Sequence, residues 1–404
     1  MAILIAIIAM ISPIVGFGLT LIYFNQYRKA VISALLCGIV FSAAIYGYIP
    51  DIGNDIFRHM SNLSAYEGIS LWDSFDILKT STSHISGVYT WDVWMWTMAQ
   101  FGNSYLLQSS GAFVGYSLIS YMVFSQAKHN NLLMKEWLPF YGMAILSFPI
   151  LEVAIGIRSA NAFIICALTC YLYYYQNRNQ VLVCLLLFIS LFLHHGAIVP
   201  ISVLLFLPLF NLYPKTIIFF LAFVFLGLYK YQGAILLLMG SDYSSGGIVS
   251  NSLYTASVYS QSDFNDSFHA VVTLMWRFGL SIILTYIVKK ENLRLRCSDR
   301  KSINDKIINF SVLISIISFG LVFIIGNNGL RYLGIANLLC CICLEAESSS
   351  QREREQKLPT VSKISLLVGN LGCCALYLYD MAWGSASIKS LALSAITGYL
   401  SRSL

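Results

Sequence analysis

Charged residues are scarce in this chain: Asp, Glu, Lys and Arg make up 11% of its 404 residues. Soluble globular domains carry about 25%, so the composition excludes an ordinary soluble fold. Apolar residues instead form runs of about 18 or more, the length that a helix needs to cross a bilayer core. The sequence therefore predicts an all-α polytopic integral membrane protein.

The chain also lacks the motifs of nucleotide and metal chemistry. No glycine-rich loop follows a strand pattern, which argues against a cytosolic nucleotide site. Nine of the ten cysteines lie inside apolar stretches, where thiols behave as small hydrophobic groups. The cluster Cys340–Cys341–Cys343 has no histidine beside it. We therefore expect neither a metal site nor a cofactor.

The apolar segments predict one transmembrane domain over residues 1–404 with about 12 helices. The first 23 residues contain no Lys or Arg, unlike the basic start of a cleavable signal peptide, so we expect a retained first span. The predicted spans are 3–23, 30–49, 104–124, 137–152, 157–175, 180–196, 197–213, 216–239, 268–288, 307–326, 330–345 and 361–380.

The basic residues indicate the orientation of these spans. Of the 25 Lys and Arg residues, 17 occur in one alternating set of loops, which the positive-inside rule places in the cytoplasm. Both termini then face outward. The basic loops at about 289–306 and 346–360 are cytoplasmic by this rule, so their charge needs no nucleic-acid partner.

Two longer connections fall on the outer side, at about 50–104 and about 240–267. The first contains "YTWDVWMWTMAQ", whose tryptophans are typical of a segment at the membrane interface. The second consists almost entirely of Ser, Gly, Asn, Asp and Tyr. Aromatic faces with neutral hydrogen-bonding groups suit sugar binding, and a plain hydrophilic loop is the alternative.

A few charged residues lie within or beside predicted spans, where each costs about 2.5–3.5 kcal/mol on insertion scales. Glu152 and Arg158 flank a tight turn, Arg331 opens a span, and Arg277 lies near the middle of another. In the predicted orientation the first three lie toward the outer face and Arg277 lies a few residues deeper. This placement predicts a functional site.

The motif "SLFLHHGA" ends an outward-going span with His194 and His195, near the level of Arg158. Neighbouring residues of a regular helix point about 100° apart, so both rings cannot face one ligand. One histidine is then available for chemistry while the other caps the backbone or faces a neighbour. A structural role for both is the alternative.

The motif "GNDIFRHM" predicts a helix that begins at Asn54 or Asp55 after the second span. In such a helix Asp55, Arg58 and His59 share one face. A carboxylate beside an imidazole suits a general base, because one group orients the other. A surface ion pair between Asp55 and Arg58 is the alternative.

Several arginines near one outward cavity indicate an anionic substrate. Guanidinium groups bind phosphate bidentately and stay charged at any physiological pH. Since no nucleotide loop is present, the phosphate must arrive on a membrane-borne molecule. A lipid-linked pyrophosphate fits this requirement.

These motifs resemble the EpsG-type group of bacterial polysaccharide polymerases, which includes many Wzy O-antigen polymerases. The matching pieces are "GNDIFRHM", "IRSANAF", "SLFLHHGA" and "LRYLGIA", in this order over residues 50–340. The family typically has a tyrosine about one turn after the aspartate, where this chain has His59. A single histidine is common where this chain has two, and His195, before Gly196, is the preferred match.

The resemblance implies a glycosyltransferase of the C-class fold in the bacterial inner membrane, with its active site facing the periplasm. It implies transfer of a growing glycan from undecaprenyl pyrophosphate to the non-reducing end of another lipid-linked unit, with a chain-length regulator as a partner. By chemistry, we expect pyrophosphate binding by Arg158, Arg331, Arg277 and Arg58, another substrate contact by His194, and proton abstraction by His195, Asp55, His59 or Glu152.

Two other functions fit the same architecture. A flippase or other transporter of lipid-linked oligosaccharides places charges along a cavity open to both sides. Here the cytoplasmic halves of the predicted spans are nearly uncharged, which favours an outward-facing site. An O-antigen ligase shares the pyrophosphate chemistry and differs in its acceptor, so the sequence barely separates it from a polymerase.

Overall fold

Helices make up nearly all of the computed structural model, which describes residues 1–50, 55–80, 89–240, 268–292, 298–347, 367–372 and 386–402. No β-strand occurs within these ranges, and the all-α prediction is confirmed. The outer connection at 241–267 and most of the basic loop at 346–360 lie outside the described residues.

Seventeen α-helices of the described residues are numbered here in chain order. Between or after them, 3-10 helices lie at Leu63–Tyr66, His195–Ala197, Gly326–Tyr332 and Gly398–Arg402. The α-helices are α1 (Ala2–Ile11), α2 (Pro13–Tyr27), α3 (Ala30–Tyr46), α4 (Asp55–Ser61), α5 (Leu71–Thr80), α6 (Tyr89–Ala99), α7 (Tyr105–His129), α8 (Met134–Leu146), α9 (Ile150–Ile155), α10 (Ile157–Tyr174), α11 (Gln180–Leu193), α12 (Ile198–Leu212), α13 (Pro214–Gly240), α14 (Phe268–Asn292), α15 (Ser298–Ile325), α16 (Leu333–Glu347) and α17 (Ala386–Thr397).

Two of the predicted spans are interrupted at proline. The segment 3–23 divides into α1 and α2 because Pro13 occupies the first turn of a new helix. The segment 137–152 divides into α8 and α9, with Pro149 as the residue before α9. Proline has no N–H to donate and its ring displaces the preceding turn, so a helix begins at proline more readily than it passes through it. Predicting these two segments as continuous helices was wrong.

Two helical segments in the described part of the chain are long and apolar enough to cross a membrane. They are His195–Leu212 and Ser302–Leu321. Length and composition alone select them, so they support membrane insertion weakly, and the number and direction of the other spans stay predictions.

Large apolar side chains are exposed along one continuous part of the sequence, α11 to α13. Examples are Leu185 and Phe188 on α11, Phe206 on α12, and Phe219 and Phe223 on α13. Water-soluble monomers rarely expose apolar patches larger than a few hundred Å². Exposed apolar helices of this kind are consistent with a helical membrane protein.

Helices α3, α7 and α10 pack closely at the centre, where glycines allow their backbones to approach. A Cβ at Gly38 of α3 would lie 2.8 Å from the Phe113 carbonyl oxygen and overlap the Ser117 hydroxyl. A Cβ at Gly111 of α7 would overlap the Ile157 side chain at the start of α10. The position of α10, which carries charged residues, therefore depends on small residues in α7.

Replacing Gly38 with leucine is expected to destabilise the protein by about 1–3 kcal/mol, because a side chain there overfills the contact between α3 and α7. Thermal unfolding of the purified protein in detergent measures this as a lowered midpoint. Gly18→Leu is the matched control, since a Cβ at Gly18 meets nothing within 4 Å. Equal midpoints for the two variants would contradict the close packing described.

The connection at about 50–104, which is predicted to lie on the outer side, contains helices α4 to α6 in its described part. Trp94 Nε1 donates a hydrogen bond to Ser110 Oγ at 2.7 Å, and Trp96 Nε1 donates to the Ile69 carbonyl oxygen at 3.0 Å. Trp91 is 1% exposed, whereas Trp72 on α5 is exposed. The prediction of an interfacial segment is therefore wrong for Trp91, which belongs to the core of the protein.

Gln108 of α7 fixes the point at which the chain leaves α3 toward α4. Its buried Nε2 donates hydrogen bonds to the carbonyl oxygens of Ile45 and Tyr48, each at 2.9 Å. Ile45 is one of the last residues of α3, whose carbonyl groups have no partner within the helix, and Tyr48 follows the helix. One amide therefore binds both the end of α3 and the chain just beyond it. The start of α4 is thereby held close to α7.

Candidate functional site

A break at Gly156 separates α9 from α10 and places charged residues on both sides. The Gly156 N–H donates to the Glu152 carbonyl oxygen at 2.8 Å, which closes α9, and Arg158 lies in the first turn of α10. A Cβ at Gly156 would lie 3.4 Å from a guanidinium nitrogen of Arg331. Arg331 therefore lies beside the break, at van der Waals distance from the position of such a Cβ.

Asp55 is the centre of the first charged cluster. As predicted, α4 begins at Asp55 and brings Arg58 and His59 to the same face. Asp55 forms an ion pair with Arg58, and its Oδ2 lies 3.3 Å from His59 Nε2 and 3.2 Å from Arg158 Nη2. A carboxylate on the outer connection is thus joined to an arginine on α10, 103 residues away.

The pKa values of both Asp55 and His59 are lowered, by different combinations of burial and neighbouring charge. Burial alone would raise the pKa of Asp55, but the hydrogen bond from His59 and the charge of Arg158 together hold that pKa well below its usual range. Burial and the charge of Arg158 lower the pKa of His59, although Asp55 opposes them. At neutral pH the pair is therefore a carboxylate beside a neutral imidazole.

Trp91 of α6 forms a platform for this cluster. Its ring centroid lies 4.9 Å from that of His59, in an edge-on arrangement, and Arg158 Cζ lies 5.6 Å from the centroid. A guanidinium over an indole face is stabilised by the negative potential of the ring. Trp91 therefore orients both the imidazole and the guanidinium group.

Glu152 is the centre of the second charged cluster, and its side chain is more buried than that of Asp55. Arg277 of α14 pairs with both of its carboxylate oxygens, and the two side chains are 5% and 2% exposed, respectively. Arg331 Nε lies 3.9 Å from Glu152 Oε1, and Arg331 Nη1 donates to Ser159 Oγ at 3.0 Å. Glu152 thus pairs with two arginines that come from distant parts of the chain.

The histidine pair follows α11 and differs in role. His194 Nδ1 accepts a hydrogen bond from the Gly196 N–H at 3.0 Å, and its ring packs edge-on against Phe163 at 5.8 Å. The charges of Arg158 and Arg331 both act on His194, so its ring lies within electrostatic range of both clusters. His195 begins the 3-10 helix. The first histidine caps the backbone, as expected for one of the two.

The two clusters carry more positive than negative charge. Four arginines, Arg58, Arg158, Arg277 and Arg331, accompany the carboxyl groups of Asp55 and Glu152 in the described part of the chain. Two guanidinium charges are therefore not balanced by these partners. A site of this kind attracts an anion, and a group with several oxygen atoms accepts hydrogen bonds from more than one arginine.

Two residues of this region were not identified from the sequence. Ser159 is buried and accepts the hydrogen bond from Arg331, and the sequence offers no signal for it beyond its place beside Arg158. Asp92 is 3% exposed and lies next to Trp91. A lone carboxylate among tryptophans in "YTWDVW" was the available signal, and it was passed over because the segment was predicted to be interfacial.

In the described residues, no group of three His, Cys, Asp or Glu side chains is arranged to hold a metal ion.

The sequence and fold were also compared with known proteins. Scans against protein-family models, curated proteins and solved structures each returned no match.

Proposed function

We propose that this chain is a polysaccharide polymerase that uses lipid-linked sugar repeat units. In this proposal it transfers the growing glycan from undecaprenyl pyrophosphate to the non-reducing end of another lipid-linked unit. The four guanidinium groups around the carboxyl groups of Asp55 and Glu152 are the observation that carries the proposal. A pyrophosphate leaving group is an anion of matching charge and hydrogen-bonding capacity.

The arginines support the departure of the leaving group. As the bond between the anomeric carbon and the phosphate oxygen breaks, negative charge accumulates on the pyrophosphate. Arg158, with its partly buried guanidinium, and Arg331, held by Ser159, stabilise that charge without reorganising. Arg58, the most exposed of the four, binds the outer part of the anion. Arg277 stays with Glu152 and holds the deeper cluster in place.

The acceptor hydroxyl must lose its proton to a base as its oxygen bonds to the anomeric carbon. Glu152 is a poor base because both of its oxygens contact arginines, and Asp55 is a poor base because its pKa is depressed. His59 is neutral and oriented by Asp55 and Trp91, which makes it the favoured base on α4. His195 is the second candidate.

The proposal places the site at the periplasmic face of a multi-pass protein of the bacterial inner membrane. We also propose that the protein has about 12 spans and a C-class glycosyltransferase fold, and that a chain-length regulator is its partner. The exposed apolar surface of α11 to α13 and the two span-length helices support insertion in a bilayer. The outward orientation is supported by the loops that carry 17 of the 25 basic residues.

A gel of surface glycan from cells that lack this chain tests the proposed function. We expect single repeat units on the lipid core and no ladder, because export and ligation continue without polymerisation. Absence of surface glycan, with lipid-linked units accumulating, would instead indicate a flippase or a ligase.

Asp55→Asn is expected to reduce polymer at least about tenfold, because it weakens the pairing of Arg158 and the orientation of His59. Asp51→Asn is the control: Asp51 lies two positions before the motif "GNDIFRHM" and outside the described residues. Both variants are tested by complementation of the deleted cells and the same gel. Equal, mild effects would mean that the motif "GNDIFRHM" has a structural role only.

A further inference from the structure

Asp92 is a buried carboxyl group that the proposed reaction does not yet use. Its side chain is 3% exposed, and its Oδ1 has no hydrogen-bond partner among the described residues. A buried carboxylate without full hydrogen bonding costs several kcal/mol, so such a group persists only where a neighbour or a function compensates for it.

The neighbour is Arg158. Asp92 follows Trp91 in the chain, and Arg158 Cζ lies 5.6 Å from the centroid of the Trp91 ring, so the Arg158 charge is close enough to lower the pKa of Asp92. Arg158 Nε also has no hydrogen-bond partner among the described residues. An anion-binding guanidinium and a carboxyl group therefore lie in the same buried region, each with one polar atom unused.

Contacts in the middle and at the C-terminal end of α6 hold Asp92 in this position. Trp94 and Trp96 are hydrogen-bonded to α7 and to the Ile69 carbonyl oxygen, and Gln100 Nε2 donates to the Tyr66 carbonyl oxygen at 3.3 Å. Tyr66, which is 2% exposed, acts on the Asp92 carboxyl by opposing the effect of burial on the pKa of Asp92. The geometry is thus fixed by contacts outside the charged cluster.

We propose that Asp92 is a positioning residue of this site: it is the second counter-charge of Arg158, and it takes up a proton when a diphosphate group binds to that guanidinium. The identity of the diphosphate as the lipid-linked substrate rests on the proposed function. The coupling between Asp92 and Arg158 does not. It requires only that an anion compete with the carboxylate for the same arginine.

The protonation state of Asp92 fits this role. Burial raises its pKa to about 7, while the charge of Arg158 and the hydrogen bond from Tyr66 oppose the increase. Of the other titratable side chains near α6, His59 contacts Trp91, and Glu67 and Asp73 are exposed. Asp92 is therefore partly protonated at neutral pH before any anion arrives.

The direction of the coupling follows from charge. A bound diphosphate adds negative charge beside Asp92 and raises its proton affinity, so anion binding and proton uptake favour each other. Affinity should then be greatest below about pH 7, where Asp92 is already protonated, and should fall as the pH rises.

Calorimetric titration of the purified full-length protein with inorganic pyrophosphate at pH 6 and pH 8 tests the coupling. We expect Asp92→Asn to match the wild type at pH 6 and to bind about tenfold more tightly than the wild type at pH 8. The comparison cancels the titration of pyrophosphate itself. Weaker binding by Asp92→Asn at both pH values, or no binding by the wild type at pH 6, would overturn the proposal.

Tyr66→Phe provides a variant that keeps the carboxyl group. Loss of the hydroxyl removes a hydrogen bond that favours the ionised form, so the pH at which affinity declines should move up by about one unit. An unchanged or lower midpoint would contradict the proposal. If the coupling holds but deleted cells still make a glycan ladder, the proposed function fails and the role of Asp92 stands. If the ladder is lost but Asp92→Asn behaves as the wild type, the reverse is true.

Discussion

Arg158→Ala is expected to reduce polymer formation about 100-fold or more while the protein remains in the membrane. Arg158 is the one arginine that pairs with Asp55, lies over Trp91 and acts on both His194 and Asp92. Removing a preorganised donor to the leaving group typically costs about 10²–10³ in rate. Glycan ladders and membrane fractionation from complemented cells measure the two quantities.

Two further variants test this result: Arg158→Lys is the conservative substitution, and Arg178→Ala is the control outside the site. Lysine retains the charge but not the planar pair of donors, so an intermediate loss is expected. Arg178 lies in a predicted cytoplasmic loop, where its Nε donates to Gln176 Oε1 at 3.1 Å, and its removal should leave the ladder unchanged. A normal ladder from Arg158→Ala would remove this residue from the site. The same test applies to Arg331→Ala, which is also expected to abolish polymer.

Glu152→Ala is expected to destabilise the protein by about 3–5 kcal/mol, because it leaves the Arg277 charge buried without a carboxylate. Arg331 also loses a partner, but its side chain is 34% exposed and can be hydrated. The free energy of unfolding is followed by thermal or denaturant unfolding in detergent, and the yield of folded protein falls in parallel.

The double substitution of Glu152 and Arg277 by methionine separates stability from function. Replacing a buried ion pair by apolar residues of similar volume is often neutral or stabilising, so most of the lost stability should return. Polymer formation should not return, because Arg331 has lost the Glu152 carboxylate and keeps only its hydrogen bond to Ser159. A double variant as unstable as Glu152→Ala would contradict the assignment of Arg277 as the main partner of Glu152.

Much of the helical architecture was accessible from hydrophobicity alone. Apolar runs located most helices, and the i, i+3, i+4 spacing of Asp55, Arg58 and His59 correctly gave one shared face. The interruptions at Pro13 and Pro149 were missed because the apolar pattern continues through them. Hydrophobic periodicity reports which side chains avoid water, whereas a helix break depends on a single residue that lacks an N–H.

The charged residues of the site were visible in the sequence, but their pairing was not. Intramembrane cost marks Glu152, Arg158 and Arg277 as unusual, yet nothing in the chain order says that residues 125 positions apart form one ion pair. Asp92 was missed for a related reason. Its significance comes from burial beside Arg158, which tertiary packing creates and local composition does not reveal.

The most direct test is reconstitution of the purified chain in lipid vesicles with one lipid-linked repeat unit as the only sugar substrate. We expect longer lipid-linked glycans and release of undecaprenyl pyrophosphate in proportion to the bonds formed. With Arg158→Ala we expect neither product. Vesicles in which the wild-type chain forms no longer glycan, or in which Arg158→Ala forms as much as the wild type, would contradict this expectation.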